Sequence, residues 1–213
     1  LRSAEDANRK TRAARALAEV IGCCTHRCTG SEAFAGLGPA CYDMDHDLGT
    51  HYFERFMKFL DYVQKHDLTC TVTVTDVKGL RTLAPHAQPD KDVYVHVDEI
   101  RNDGIVISGF KCNQTGILFA HEIVIVPTTN MKPEDKDFAV ACAIPADSPG
   151  ITFVLGRTPQ DKRFFEVNDD IEGIDLGKKY ADHQALVYFD KVFVPNDRVF
   201  LCGEVKYVGR LLS

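Results

Sequence analysis

The hydrophobic period of this chain changes once, near His66-Asp67, and that change limits the possible folds more than any other feature. Before it, apolar residues recur every three to four positions. Ala14, Leu17, Ala18 and Ile21 form one predicted buried stripe, opened by Ser3 and Asp6 in the manner of a capping box. Phe53, Phe56, Met57, Leu60 and Val63 form a second through residues 52–64, starting at Gly49-Thr50. From Thr69 the chain alternates instead, with Cys70, Val72 and Val74 on one side and Thr71, Thr73 and Thr75 on the other, as a half-buried strand does. Segments 93–97 and 105–110 flank Arg101-Asn-Asp-Gly104, where Asp103-Gly104 predicts a tight hairpin built on positive backbone dihedrals. Residues 117–126, 138–144, 151–155 and 185–194 are further predicted strands, and the acidic segment 161–175 reads as a surface excursion. Helices followed by strands without alternation predict an α+β fold, a helical piece packed on an antiparallel sandwich or barrel rather than a doubly wound sheet.

The 25 basic side chains against 31 acidic ones leave a formal charge of −6, which argues against nucleic acid as a partner. At 45% hydrophobic residues the chain can bury a substantial core. No stretch approaches the roughly 18 uninterrupted apolar residues of a membrane-spanning helix, and no basic-then-apolar leader opens the chain, so the expected location is cytoplasmic with no membrane partner. Starting at Leu1 without Met and stopping at Ser213 within a sequence that still reads as helix, the chain is expected to be a fragment of a longer protein.

Eight cysteines do not form the regular framework of a secreted scaffold. Cys23, Cys41, Cys70, Cys112, Cys142 and Cys202 stand singly among apolar or small residues and read as buried small hydrophobes. Cys24 and Cys28 differ: if helical, they share one face and can ligate one metal centre, zinc or iron–sulfur, with His26 and Arg27 beside them. By spacing alone, two inert helical cysteines explain the pattern equally well. Complete templates fail: a three-cysteine cluster motif needs Cys at Ser31, there is no C-x-x-C knuckle, and His121-Glu122 meets Ile125 where a zincin needs His. His46 and His51 read as a solvated pair, and Gly36-Leu-Gly-Pro39 is not a dinucleotide fingerprint.

Cys24-Thr-His-Arg-Cys28, Lys111-Cys-Asn-Gln-Thr-Gly116, His121-Glu122 and the run from Phe189-Asp-Lys-Val-Phe-Val-Pro195 to Gly203-Glu204 together resemble the flavin-dependent 4-hydroxyphenylacetate 3-hydroxylase family, related in fold to the acyl-CoA dehydrogenases. The likeness runs nearly end to end. Its aromatic hydroxylases have no cluster, so the cysteine pair points to the family's dehydratase branch. The resemblance implies a helical N-terminal domain (1–67), a middle β-domain (68–200) and, from 201–213 onward, a C-terminal helical bundle that the chain does not contain. It further implies an FAD-containing homotetramer acting on an acyl-CoA thioester, removing water from 4-hydroxybutyryl-CoA to give crotonyl-CoA and isomerising vinylacetyl-CoA. Because the β-hydrogen of such a thioester is weakly acidic, one-electron exchange with the flavin would weaken the C–H bond, while a 4Fe–4S cluster would act as Lewis acid on the leaving hydroxyl.

By the same resemblance Cys24 and Cys28 are cluster ligands, Thr115 is catalytic and contacts the flavin, and Asn113, Gln114, Thr115 and Gly116 form a cofactor-binding turn. Lys78, Gly79 and Arg81 belong to a loop, Thr75-Asp-Val-Lys-Gly-Leu-Arg81, that approaches the flavin. His121 and Glu122 have at most a supporting role. The chain departs from the family pattern at Asn113, where His is usual, at Val77 and Leu80 in the loop, and at Gln184, where an acid is expected and Asp182 lies nearby. Competing readings are an FADH2-dependent aromatic monooxygenase and a relative that kept the fold without the chemistry.

Overall fold

A computed structural model describes residues 3–22, 28–156 and 184–212. The chain divides into two units, Leu1–Cys28 with Arg157–Asp182, and Thr29–Gly156 with His183–Ser213. In the first, helix α1 (Ala4–Ile21) is capped as expected: the Ser3 side chain accepts from the Asp6 amide at 3.1 Å, and Gly22 closes the helix in the left-handed region. None of its residues is buried, so the predicted stripe stays uncovered among the described residues, and Val20 beside it is 84% exposed. The acidic segment 161–175, Cys23 and Cys24 lie outside the described residues.

In the second unit, helix α2 (Cys28–Leu48) was not foreseen, because Gly30, Gly36, Gly38 and Pro39 all argue against a helix interior. Its glycines serve close approach. A Cβ on Gly30 would strike the Cys70 carbonyl, and one on Gly36 the Leu211 carbonyl. Helix α3 (Tyr52–Lys65) was foreseen, but its buried face is Tyr52, Phe56, Phe59 and Val63; Met57 is exposed. Asp45 of α2 caps it by accepting from the Tyr52 and Phe53 amides at 2.7 and 3.0 Å.

The strands are β1 (Cys70–Thr73), β2 (His96–Ile100), β3 (Gly104–Thr115), β4 (Glu122–Ile125), β5 (Val140–Pro145), β6 (Ile151–Leu155), β7 (Gln184–Pro195) and β8 (Val199–Cys202). They make two four-stranded sheets, ordered β1-β4-β5-β8 and β2-β3-β7-β6. The mixed helix-and-sheet class therefore holds, with one correction to the antiparallel expectation: β1 pairs with β4 in parallel, because two strands of the other sheet intervene in sequence. Predicted strand 117–126 is a 3-10 turn, Ile117–Phe119, followed by the short β4.

The hairpin between β2 and β3 forms without a positive dihedral at Asp103 or Gly104. Gly104 instead admits β7, since a Cβ there would meet the Val194 carbonyl and, at 2.8 Å, the Phe193 ring. In β1 both threonines are buried along with Cys70, and Val72 is half-buried. Thr71 and Thr73 bury hydroxyls that donate to the Thr115 and Val124 carbonyls at 3.0 and 3.3 Å, whereas Val72 and Val74 line a groove with Val126, Ala33 and Leu211.

Both sheets and the inner faces of α2 and α3 share one apolar core. Phe200 of β8 sits under α3, its ring 5.9 Å from Phe56 edge-to-face and 5.6 Å from Phe59. Cys41, Cys70 and Cys142 are buried thiols, while Cys112 and Cys202 are half-buried. Burial pushes the Cys41 thiol up to about 12 and Cys202 to about 11, as inert packing residues require.

Candidate functional site

Strand β3 ends in the turn singled out in the sequence. A bulge between Lys111 and Gln114 breaks its pairing with β7, and Asn113 (φ 54°) and Gly116 (φ 70°) bend the chain through the left-handed region. A left-handed Asn is uncommon and marks a constrained turn. Gln114 is 3% exposed, and its Nε2 donates to the Thr75 carbonyl at 3.2 Å and to the Cys112 carbonyl. Thr115 is half-buried; its carbonyl accepts from Thr71, while its hydroxyl has no hydrogen-bond partner among the described residues.

The second segment, 75–81, lies directly beside the first. The Cys112 amide donates to the Thr75 carbonyl at 2.9 Å, and Asp76 bridges Lys111 in antiparallel fashion. Beyond Asp76, Lys78 (φ 69°) and Gly79 (φ 41°) are also left-handed, and Gln88 holds the loop by bonding both the amide and the carbonyl of Leu80. Lys78 is half-buried, Arg81 is exposed, and neither has an ion-pair partner among the described residues. The structure thus joins the root of the loop, Thr75 and Asp76, to Lys111, Cys112 and Gln114 beside the turn, while Lys78, Gly79 and Arg81 follow Asp76 along the antiparallel direction, with Gln88 and Val93 next to Gly79.

A polar seam underlies both segments, and the sequence analysis assigned its members no role. The Lys111 ammonium, 1% exposed, lies 2.6 Å from Asp76 Oδ1. Burial pulls its pKa down against the opposing pull of Asp76. Burial raises the Tyr94 phenol, reinforced by Asp76 and Asp135. Asp135 is buried against the His86 ring, Nδ1 to Oδ1 2.6 Å, and accepts from the Lys132 and His86 amides at 2.9 and 3.0 Å. Burial alone would raise its pKa, but those donors together hold it below the usual carboxylate range. No local signal singled out Lys111: β3 is buried on both faces from Gly104 to Gly109, and its register shifts between Ile107 and Gly109, so position along the strand does not tell which way residue 111 points.

His121 and Glu122 serve local structure. His121 Nδ1 accepts from the Thr69 amide at 3.0 Å, and buried Glu122 pairs with Arg198 at 2.8 Å, whose guanidinium lies over the Phe59 and Tyr62 rings. His46 and His51 are exposed, as expected. Gln184 faces Thr115 across β3 and β7, so the position where an acid was expected does adjoin the turn; Asp182 lies outside the described residues.

The Thr115 hydroxyl and the cations Lys78 and Arg81, without partners among the described residues, and the left-handed Lys78, Gly79, Asn113 and Gly116 fit the needs of a flavin, which has an edge to hydrogen-bond and phosphates to neutralise. A metal cluster finds no such site among the described residues, where no group of three or more His, Cys, Asp and Glu side chains can hold an ion. Cys24 lies outside those residues, and Cys28 enters only as the first residue of α2, its side chain not described.

The chain is 41% identical over 212 residues to the 4-hydroxybutyryl-CoA dehydratase/vinylacetyl-CoA-Delta-isomerase of Clostridium aminobutyricum, an alignment covering 99% of this chain and 43% of that protein. Among solved structures it is similar to an oxygen-tolerant archaeal 4-hydroxybutyryl-CoA dehydratase from N. maritimus, with a TM-score of 0.89 and 35% identity over 98% of this chain and 41% of that one. It is also similar to the oxygenase component of 4-hydroxyphenylacetate 3-monooxygenase complexed with FAD, with a TM-score of 0.66 and 26% identity over 84% of this chain and 35% of that one. The chain therefore spans less than half the length of each. Residues 1–201 match the family described as 4-hydroxyphenylacetate 3-hydroxylase N terminal, and this match, covering nearly the whole chain, places the protein in the 4-hydroxyphenylacetate 3-hydroxylase family.

Proposed function

We propose that this chain is part of a flavin enzyme that dehydrates 4-hydroxybutyryl-CoA to crotonyl-CoA and isomerises vinylacetyl-CoA. One observation carries the reading: among solved structures, 35% identity and a TM-score of 0.89 over 98% of the chain to a dehydratase, against 26% and 0.66 over 84% for the flavin oxygenase. In this proposal residues 75–81 and 113–116 form one wall of the FAD site. Thr115 donates its hydroxyl to the flavin edge; Gln114 and Asn113 shape the turn, and Gly79 and Gly116 let backbone approach. Lys78 and Arg81 neutralise phosphate. FAD held there would supply the one-electron chemistry that an unactivated β C–H bond requires.

The proposal extends to a 4Fe–4S cluster with Cys24 and Cys28 among its ligands, a helical segment 1–67, a β-segment from 68 that β8 carries to Cys202 rather than ending at 200, a helical continuation after it, a homotetramer, and a cytoplasmic location. The test is anaerobic purification of the intact protein, followed by assay of FAD, iron and acid-labile sulfide and of crotonyl-CoA formation. Thr115→Val should lower turnover and weaken FAD binding, and Cys24→Ala should remove iron. Iron-free protein that hydroxylates a phenol when supplied with reduced FAD would replace this reading with the monooxygenase one.

A further inference from the structure

The buried Lys111 has no work in the flavin wall itself, yet all three donors of its ammonium are engaged. It reaches the Val74 carbonyl at the end of β1 (2.9 Å), the Val126 carbonyl just past β4 (2.8 Å) and Asp76 Oδ1 at the root of the 75–81 loop (2.6 Å). The other carboxylate oxygen, Asp76 Oδ2, accepts from the Thr128 hydroxyl at 2.6 Å. The half-buried Cys112 thiol adds a contact to the Asp76 carbonyl at 3.4 Å. One charged node therefore ties three chain ends to β3, immediately before the bulge that leads to Asn113–Thr115.

Stability alone is a poor reason for such a node, since replacing a buried ion pair by apolar residues of similar volume is often neutral or favourable. An ion pair differs from apolar filling in being directional. Its donors set the distance and angle between the segments they join, whereas methylene packing leaves them free to slide. We propose that Lys111, with Asp76, is a positioning residue that sets the 75–81 loop against the 113–116 turn, so that the two halves of the cofactor wall keep one spacing. This rests on the flavin reading above.

The experiment uses the intact, flavin-loaded protein and three variants: Lys111→Met, Asp76→Asn and the charge-balanced double Lys111→Met/Asp76→Asn. Each single variant strands one buried charge and should lose both thermal stability and FAD affinity. The double variant removes the stranded charge. It should regain most of the thermal stability, yet still bind FAD about tenfold or more weaker than wild type, with faster hydrogen exchange at the 76–81 amides and a shifted flavin absorption band. A double variant that matches wild type in affinity, exchange and spectrum overturns the proposal, because the pair is then only a compensated charge in a core.

If the lysine variants do not fold, Thr128→Val keeps the ion pair and removes only the hydroxyl on Asp76. It should speed exchange at 76–81 and weaken FAD binding about threefold, the size of one lost hydrogen bond, and unchanged affinity and exchange overturn the proposal by this route. Failure of the flavin reading looks different: wild-type intact protein then takes up no FAD at all.

Discussion

The layer under α3 and the seam under the candidate site lie in the same unit and are both buried, but different forces hold them. Under α3 the contacts are Phe34, Phe56, Phe59 and Phe200, with ring centroids 5.6 to 6.0 Å apart and the Arg198 guanidinium over Phe59. Under the site, Asp76, Lys111, Gln114 and Asp135 are each buried and each committed to specific partners. The first region depends on volume filled and tolerates small slides. The second depends on direction and charge, and is the part that has to hold a fixed surface.

This contrast can be tested where each region is most exposed to failure. Phe200→Ala should have the largest effect, about 3–5 kcal/mol of stability, because neither sheet nor helix can collapse fully into the vacated space. Its cost should be the same at pH 5 and pH 7 by denaturant unfolding; a strong pH dependence would break the distinction. Asp135→Asn should cost less, about 2 kcal/mol at neutral pH, the scale of hydrogen bonds to a charged group, and its cost should depend on pH.

The sign follows from the depressed folded pKa of Asp135. A carboxyl that ionises more readily when folded adds stability above its unfolded pKa of about 3.9, and loses it as pH falls from there through the lower folded value. The gap between wild type and Asp135→Asn should therefore be full at pH 7 and close below pH 4, so a constant gap in paired pH titrations of unfolding would refute the assignment.

Smallest is Gly36→Ala in α2. Helix propensity favours alanine by about 1 kcal/mol, while the new Cβ would press on the Leu211 carbonyl, an overpacking penalty of about 1–3 kcal/mol. A net loss of stability is expected, and a rise in melting temperature would show that α2 does not pack as closely as its glycines suggest.

Legibility in the sequence divided along the same line. The α3 helix and β7 were readable because their apolar residues keep a regular period over many positions, and the β2–β3 hairpin because Asp103-Gly104 marks its turn, although β2 spans His96–Ile100 and not 93–97. The face of α3 was read nearly in phase: Phe56 and Val63 are buried and Phe53 and Leu60 pack against the core, while Met57 is exposed and the buried Tyr52 and Phe59 were missed. Helix α2 was invisible, because glycine reads locally as a helix breaker, and only Cys70 and Leu211, distant in sequence, explain why it is used. At the site, the turn 113–116 and the loop 75–81 were legible as motifs, and the structure joins the root of the loop to the residues that lead into the turn. The Lys111–Asp76 node was not, because a lysine in sequence carries no sign of which face will bury it or what will neutralise it.

The sequence by itself determined the order of helices before strands, the α+β class and the family, because period, turn residues and motif spacing are local properties that a chain keeps in any environment. The tertiary structure alone decided that Thr71 and Thr73 of β1 are buried, that β1 runs parallel to β4, and that a lysine sits in the core joined to an aspartate 35 positions earlier. Those choices depend on desolvation and on partners distant in sequence. The cost of burying a hydroxyl or an ammonium is set by which groups meet it after folding, and no local pattern records that.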